Sequence, residues 1–344
     1  MPLVAIITDT HFGARKGSKH LHDYFEKFYK NVFFPTLEKY NVKTVIHMGD
    51  VFDSRKSIDY QSLEWSKRVV FDPLKDYDVH MITGNHDCYY KNSNKLNSPG
   101  QLLSSYPNIK IYSEVKEVFI DKLKVLFIPW INAENFDDTI KHIKVSTCNC
   151  AMGHLELNGF RAYPGHTMED AMDGKLFEKY TKVFSGHYHT RSNDRRIYYL
   201  GNPYQMFWSD VNDPRGFTLF DTDTLEHRSI NNPYELFHTI NYSNQKESDL
   251  DLELYKGKIV KVVVCKKENL KEYEKFIDKL SLVCEELKIV ESFQLLESDN
   301  FDVLDSEDTL SILNNYIEES DINVKKSTIQ RIVKDIYEEA HEIV

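Results

Sequence analysis

Residues Ile46–Asp53 read IHMGDVFD: a short apolar run, a glycine, then two carboxylates three positions apart. An apolar run of strand length that stops abruptly at a glycine and an acid is the pattern of a buried strand handing polar side chains to its carboxyl end. The same plan recurs four times. Ile6–Gly13 is IITDTHFG, with Asp9 and His11; Met81–Cys88 is MITGNHDC, with Asn85, His86 and Asp87. Cys150–Glu156 is CAMGHLE, with His154, and Val183–Thr190 is VFSGHYHT, with His187 and His189. In an open α/β sheet the loops at the carboxyl ends of the strands converge on one crevice. These groups can therefore meet although they span 180 residues.

The rest of the chain supports that frame. Apolar runs at Leu3–Ile7, Thr44–Met48, Val79–Ile82, Val125–Ile128, Cys150–Met152, Lys182–Phe184, Ile197–Leu200 and Phe217–Phe220 alternate with longer amphipathic stretches. Helical periodicity covers Leu21–Tyr40 and Asp59–Val70, so an α/β layered domain is expected over residues 1–240. Polar Asn241–Gly257 reads as a boundary. Beyond it a strand at Lys258–Cys265, a helix at Asn269–Leu287 and a strand at Ile289–Leu296 predict a small α+β domain over 258–300. Two helices come next in 305–344, one capped by Asp305 or Ser306. The second starts near Ser327 and places Ile329, Ile332, Val333, Ile336, Tyr337 and Ala340 on one stripe, which packs on its own protein or docks a partner.

Composition narrows the class. The 344 residues are 41% hydrophobic, enough for a large core, and no run of 18 apolar residues predicts a membrane span. An acidic residue arrives too early for a signal peptide, and the five cysteines are odd in number and scattered, so a reducing cytoplasm is expected. Net charge is −11, but 24 acidic and 14 basic side chains lie in 241–344, leaving 30 against 29 before it. The acid belongs to the C-terminal part, and the first 240 residues can carry basic patches for a nucleic acid.

A lone strand-end Asp is usually a helix cap, and a lone His a satisfied polar residue. Five such fragments, with Gly49, Gly84, Gly153 and Gly186 admitting close backbone approach, are much harder to explain that way. Carboxylate, imidazole and amide oxygen together suit Mn²⁺, Fe²⁺ or Zn²⁺, and the lack of a thiolate argues against a structural zinc site.

The ordered set DxH, GDxxD, GNHD, GH and GHxH resembles the calcineurin-like metallophosphoesterases. The stretches GDVFDSRKS, GNHDCYYKN, FIPWINAEN, GHLELNGF, GHYHT and DPRGF make the chain most similar to the SbcD-type DNA repair nucleases, in particular the recombination endonuclease subunits of T-even-type phages. The resemblance implies a four-layered α/β/β/α metallophosphoesterase sandwich with a small capping domain that helps place DNA. It implies two divalent ions, most often Mn with Mg, Fe and Zn compatible: Asp9, His11 and His189 on the first, Asn85, His154 and His187 on the second, Asp50 bridging both. Two ions sharing one carboxylate clamp the attacking and leaving oxygens of a phosphodiester and lower the pKa of a water nucleophile. His86 resembles the catalytic histidine that assists the leaving alkoxide. Asp87 either holds its ring or caps the following segment, and Asp53 orients a metal ligand.

Basic residues flank almost every motif on its C-terminal side: Arg15, Lys16 and Lys19; Arg55 and Lys56; Lys91 and Lys95; Arg191, Arg195 and Arg196. One such run is usually a solvated face, but four beside one centre would line a rim for a polymeric substrate's phosphates. Tyr89 and Tyr90 either stack on an unpaired base or pack in the core, the latter being expected of at least one. Related protein phosphatases read GDxVDRG, whereas this chain reads GDVFDSRK. The expectation is thus a Mn-dependent nuclease subunit, a double-strand exonuclease and single-strand endonuclease that processes DNA ends in recombination, repair and replication, in a bacterial or phage-infected cytoplasm. By resemblance it is a homodimer in a two-plus-two complex with an SbcC-like, SMC-type ATPase docked on 305–344, and one of its first two helices is a candidate dimer face. ATP would bind that partner, since no GxxxxGK[ST] occurs here. The alternatives are a phosphodiesterase of small nucleotides and a DNA-end-binding scaffold.

Overall fold

A computed structural model describes residues 3–163, 166–291, 316–317, 325–326 and 328–333. The chain divides into two compact units, Met1–Tyr204 with Asp213–Tyr234, and Gln205–Asn212 with Glu235–Val344. In the first unit the strands are β1 (Leu3–Ile7), β2 (Thr44–His47), β3 (Asp78–Ile82), β4 (Cys88–Tyr90), β5 (Ser93–Asn97), β6 (Ile109–Tyr112), β7 (Lys116–Ile120) and β8 (Leu123–Ile128). They continue as β9 (Cys150–His154), β10 (Arg161–Tyr163), β11 (His166–Thr167), β12 (Lys182–Gly186), β13 (Ser192–Asn193), β14 (Ile197–Tyr199), β15 (Gly216–Asp221) and β16 (His227–Asn231).

Two six-stranded sheets result, in the orders β16-β15-β1-β2-β3-β6 and β13-β14-β12-β9-β8-β7. Strands β1, β2, β3 and β6 are parallel, as are β8, β9, β12 and β14, while β15 and β7 pair antiparallel to their neighbours. The sheets stack face to face. Val125 and Phe127 of β8 join Val4, Ile6, Ile46 and Met48 between them, and the intervening Leu126 and Ile128 pack outward with Ile143 of the helix Phe136–Val145. A strand covered on both faces must be apolar at every position, which is why these runs are continuous rather than alternating.

On the outer face of the first sheet lies the expected first helix, Lys19–Phe28, which passes through a π turn at Tyr29–Phe33 into Phe34–Lys39. The second, Tyr60–Ser66, is capped by Asp59, whose Oδ1 accepts from Ser62 N at 2.8 Å, and also ends in a π turn, Lys67–Phe71. Tyr29, Phe33, Val70 and Phe71 from these turns close on Ile7, Val45, Val79 and Met81. Helix, sheet, sheet and helix make four layers.

The second unit departs from expectation at three points, one being that the strand expected from Ile289 opens at Glu286. The stretch expected to open a boundary at Asn241 instead completes a strand, β17 (Phe237–Ser243), parallel to β18 (Ile259–Lys266). The helix expected to reach Leu287 ends at Ser281, and Leu287 packs on the same core from β19 (Glu286–Glu291). Its apolar side chain fits the helical stripe equally well. Val260, Val262 and Val264 face the helix residues Tyr273, Phe276 and Leu280; on the other face buried Lys261 lays its Nζ 4.0 Å over the Trp208 ring. Of the C-terminal helices only 316–317, 326 and 328–333 are described, all helical, with Ile332 exposed; the remainder of 305–344 and residues 292–300 lie outside the described residues. Among the described residues no helix is long and apolar enough to cross a membrane, and all five cysteines are free thiols.

Candidate active site

The five motif loops meet at the carboxyl ends of β1, β2, β3, β9 and β12. Asp9, His11, Asp50 and His187 adopt left-handed backbone conformations, with φ of 53°, 44°, 53° and 83°. Each such non-glycine residue costs on the order of 1–3 kcal/mol and persists only where its surroundings hold it. Here Asp9 N donates to Gly49 O at 3.0 Å and His11 N to Asp50 O at 3.1 Å. Gly49, at φ 98°, is obligatory: a Cβ there would stand 2.6 Å from His154 Nδ1.

Three groups of ligand-type atoms form among the described residues: two hold the expected ligands, and a third joins His11 to Asp53 and His86. Asp9, His11 and His189 offer atoms within 4.8 Å of one another, and His11 Nε2 and His189 Nε2 are 3.2 Å apart. His11 Nδ1 lies 3.1 Å from Asp53 Oδ1, so the ring's second nitrogen is directed at the cluster. Burial opposes charging of His11, but Asp53, Asp50 and Asp9 more than offset it and hold its pKa at about 9. His189 is pushed the other way by burial and by the cations His11 and Arg215. The result is a neutral ring with a lone pair, as a metal ligand requires.

Asp50, His154 and His187 form the second group. Asn85 Oδ1 stands 2.9 Å from both His154 Nε2 and His187 Nδ1, and Asp50 Oδ2 lies 3.3 Å from His154 Nε2 and 3.7 Å from His11 Nε2. Asp50 thus reaches both clusters. His154 Nδ1 donates to Met48 O at 2.9 Å, so Nε2 turns to Asn85 Oδ1 and Asp50 Oδ2. Buried carboxylate, imidazole and amide oxygen converging from separate loops make a donor set that fits divalent ions, which would take Nε2 in place of its proton. Burial raises the Asp50 carboxyl, but His154, His86 and His11 bring it well below the carboxylate range; burial raises Asp9.

Asp53 serves twice. Its carboxylate takes His11, and its carbonyl oxygen takes His86 Nδ1 at 2.6 Å, with the His11 and His86 rings edge to face at 4.8 Å. His86 N donates to Asp50 Oδ1 at 2.8 Å. Neither expectation for Asp87 is met: its carboxylate accepts from the backbone N–H groups of Asp50 (2.8 Å), Val51 (2.9 Å) and Gly84 (2.9 Å). It binds two loops together rather than holding the His86 ring or capping the next segment of chain. Burial, with Asp50 nearby, raises its pKa to about 7.

The basic flanks divide. Lys56, Lys91 and Arg195 are exposed, as are Arg15 and Lys16, which sit in a left-handed turn with φ of 53° and 60°; Arg55 is half-buried. Arg191 is part of the fold instead: Nε donates to Leu200 O at 3.1 Å and Nη1 to Asn231 Oδ1 at 2.6 Å, and burial lowers its pKa to about 10. Lys95 is paired with Glu134. Tyr89 and Tyr90 are both exposed, contrary to the expectation that at least one is core.

Three neighbours of the site escape sequence reasoning. Thr8 Oγ1 donates to Asp9 Oδ2 at 2.7 Å. Arg215, from the DPRGF stretch, is buried, pairs with Asp213 at 2.8 Å and donates to His189 O, fixing the loop behind that ligand. The Trp130 ring, from FIPWINAEN, lies 5.1 Å from the His187 ring. Both stretches stand out in the sequence, but nothing in their local pattern says which side chain turns inward.

Comparisons with known proteins place the chain in a family. The sequence profile of the calcineurin-like phosphoesterases matches residues 2–191. Exonuclease subunit 1 of Enterobacteria phage T4 is 33% identical over 283 residues, 81% of this chain and 82% of that protein. The DNA double-strand break repair protein Mre11 of Sulfolobus acidocaldarius is 25% identical over 287 residues, 78% and 72% of the two chains. A solved archaeal phosphodiesterase structure covers 67% of the chain and 99% of its own at 14% identity and a TM-score of 0.34, too low to add to the sequence matches. With its strand-end motifs, paired ligand clusters and these relatives, the chain belongs to the calcineurin-like phosphoesterase family and groups within it with the SbcD/Mre11-type nucleases.

Proposed function

We propose that this protein is a Mn²⁺-dependent DNA nuclease subunit, a double-strand exonuclease and single-strand endonuclease of an SbcCD-like complex. The observation that carries it is the convergence of seven ligand-type side chains from five strand ends on two adjoining clusters that share Asp50. Asp9, His11 and His189 would hold one divalent ion and Asn85, His154 and His187 the other. Bound there, such ions supply a water nucleophile at neutral pH and stabilise charge on the phosphoryl oxygens. His86, its Nδ1 engaged by the Asp53 carbonyl, presents Nε2 to give a proton to the departing 3′ or 5′ oxygen. Asp53 orients both His11 and His86, and Asp87 fixes the loops that carry Asp50 and Asn85.

Lys56, Lys91, Arg195, Arg15 and Lys16, with Arg55, bind DNA phosphates around the site. Residues 258–300 help place DNA, and 305–344 dock an SMC-type ATPase in a two-plus-two, cytoplasmic assembly. The purified chain with Mn²⁺ is offered blunt duplex, single strand, plasmid and a small phosphodiester reporter. Cleavage of duplex ends and single strands that stops with EDTA is expected; hydrolysis of the reporter alone would overturn the reading. Deleting 306–344 is expected to spare cleavage and abolish ATPase association, so an intact complex would sink the docking assignment.

A further inference from the structure

Three residues beyond His86, the hairpin β4–β5 carries two tyrosines that the core does not use: Tyr89 is 40% and Tyr90 54% exposed. Adjacent strand residues ordinarily point to opposite faces. Here the pairing register shifts between Cys88 and Tyr90, and the two rings meet edge to face, centroids 4.8 Å apart and 77° between planes. A single exposed aromatic surface results.

The base of this hairpin is tied down. Cys88 Sγ, with its single S–H, lies 3.2 Å from Gly84 O and 3.1 Å from Asn94 Oδ1, and Ser98 N donates to Asp87 O at 2.8 Å. Buried Asn94 also donates to Trp130 O at 2.7 Å and accepts from Asn132 Nδ2 at 2.8 Å. The aromatic pair therefore stands on a hydrogen-bonded base that shares Gly84 and Asp87 with the metal-site loops. Three residues of chain span at most about 11 Å, which bounds the Cα distance from His86 to Tyr89. Lys91 comes next, at the turn, and is exposed.

We propose that Tyr89 and Tyr90 form a stacking platform for an unpaired nucleobase next to the scissile phosphate, and so determine the preference for single-stranded substrate. This rests on the nuclease reading above. An aromatic ring offers a π-face to any base, and a pre-fixed side chain with two torsions loses little entropy on stacking. Paired bases, stacked within their own duplex, present no free face to it. The adjoining lysine suits the strand's phosphate rather than an apolar protein partner.

The test uses the full chain and a single-stranded oligonucleotide carrying 2-aminopurine, titrated without metal, alongside Mn²⁺-dependent cleavage. Native protein quenches the fluorescence. In Tyr89→Ala/Tyr90→Ala the quench is lost and single-strand KM rises about tenfold or more. Blunt-duplex cleavage changes less than twofold, hydrolysis of a base-free phosphodiester reporter is retained, and Tyr→Phe at both positions restores the quench. Equal losses on single strand, duplex and reporter would mean a structural role and overturn the proposal, as would an undiminished quench. A native chain that quenches but cleaves no DNA would refute the nuclease reading while leaving the platform standing.

Discussion

The two ligand clusters differ in what stands behind them. In the first, the ring of His11 leans on a side chain, the half-buried Asp53 carboxylate; in the second, the ring of His154 leans on the backbone, the Met48 carbonyl in the core. A carboxylate raises the basicity of its histidine more than a neutral carbonyl does, and it can be exchanged by one substitution. The first cluster is therefore tunable from outside, and the second is built into the sheet.

The largest effect is expected where the clusters meet. Asp50→Ala removes the shared oxygens, and hydrolysis should fall by about a thousandfold or more with loss of bound metal at both clusters. Full metal content measured by plasma mass spectrometry would show that the clusters are independent. His86→Ala should cost about 10²- to 10⁴-fold in kcat with both ions retained, and loss of an ion would reassign His86 as a ligand. Asp53→Ala should weaken only the first cluster, by about 10- to 100-fold in affinity; isothermal titration showing two weakened sites would erase the asymmetry.

Acidity acts on both clusters. In the metal-free protein His11 and His154 titrate at about 9, above the ordinary 6.5, because neighbouring carboxylates outweigh burial. Their contribution to stability is full below pH 6.5 and is lost as pH rises through 9. An ion must displace those protons, so affinity should rise between pH 6 and 9 by up to about tenfold per unit for each histidine. Calorimetry in buffers of different ionisation enthalpy reads the released protons, and a pH-independent affinity would contradict the assignment. Smallest, Lys56→Ala should weaken DNA binding severalfold and reduce the slope of log affinity against log salt by about one. Arg191→Ala should instead lower the melting temperature, since its guanidinium holds Leu200 and Asn231.

How much of the molecule is legible in the sequence depends on range. Asp9, His11, Asp50, Asn85, His154, His187 and His189 are brought together in the way the motifs suggest because each lies at or within four residues past the carboxyl end of a strand, and parallel strands bring such ends together whatever lies between. Asp87 is not, because sequence offers only its near neighbours as partners, whereas its carboxylate reaches Asp50 and Val51 more than thirty residues earlier. Arg191 looks like a rim charge since a charged residue after a motif is usually solvated; its guanidinium is instead taken by the Leu200 carbonyl, just past β14, and by Asn231 of β16, forty residues on. Tyr89 and Tyr90 look like core because aromatic pairs usually are. The end of β17, Asn241–Ser243, reads as a boundary because an edge strand with a solvated face needs few apolar residues.

The carboxylate of Asp87 has one further consequence. By joining the loop of Asp50 to that of Gly84–Asn85, it holds the shared carboxylate in register with the amide of the second cluster before any ion arrives. Exchanging one divalent ion for another would then leave that pair of oxygen donors where the polypeptide has set them.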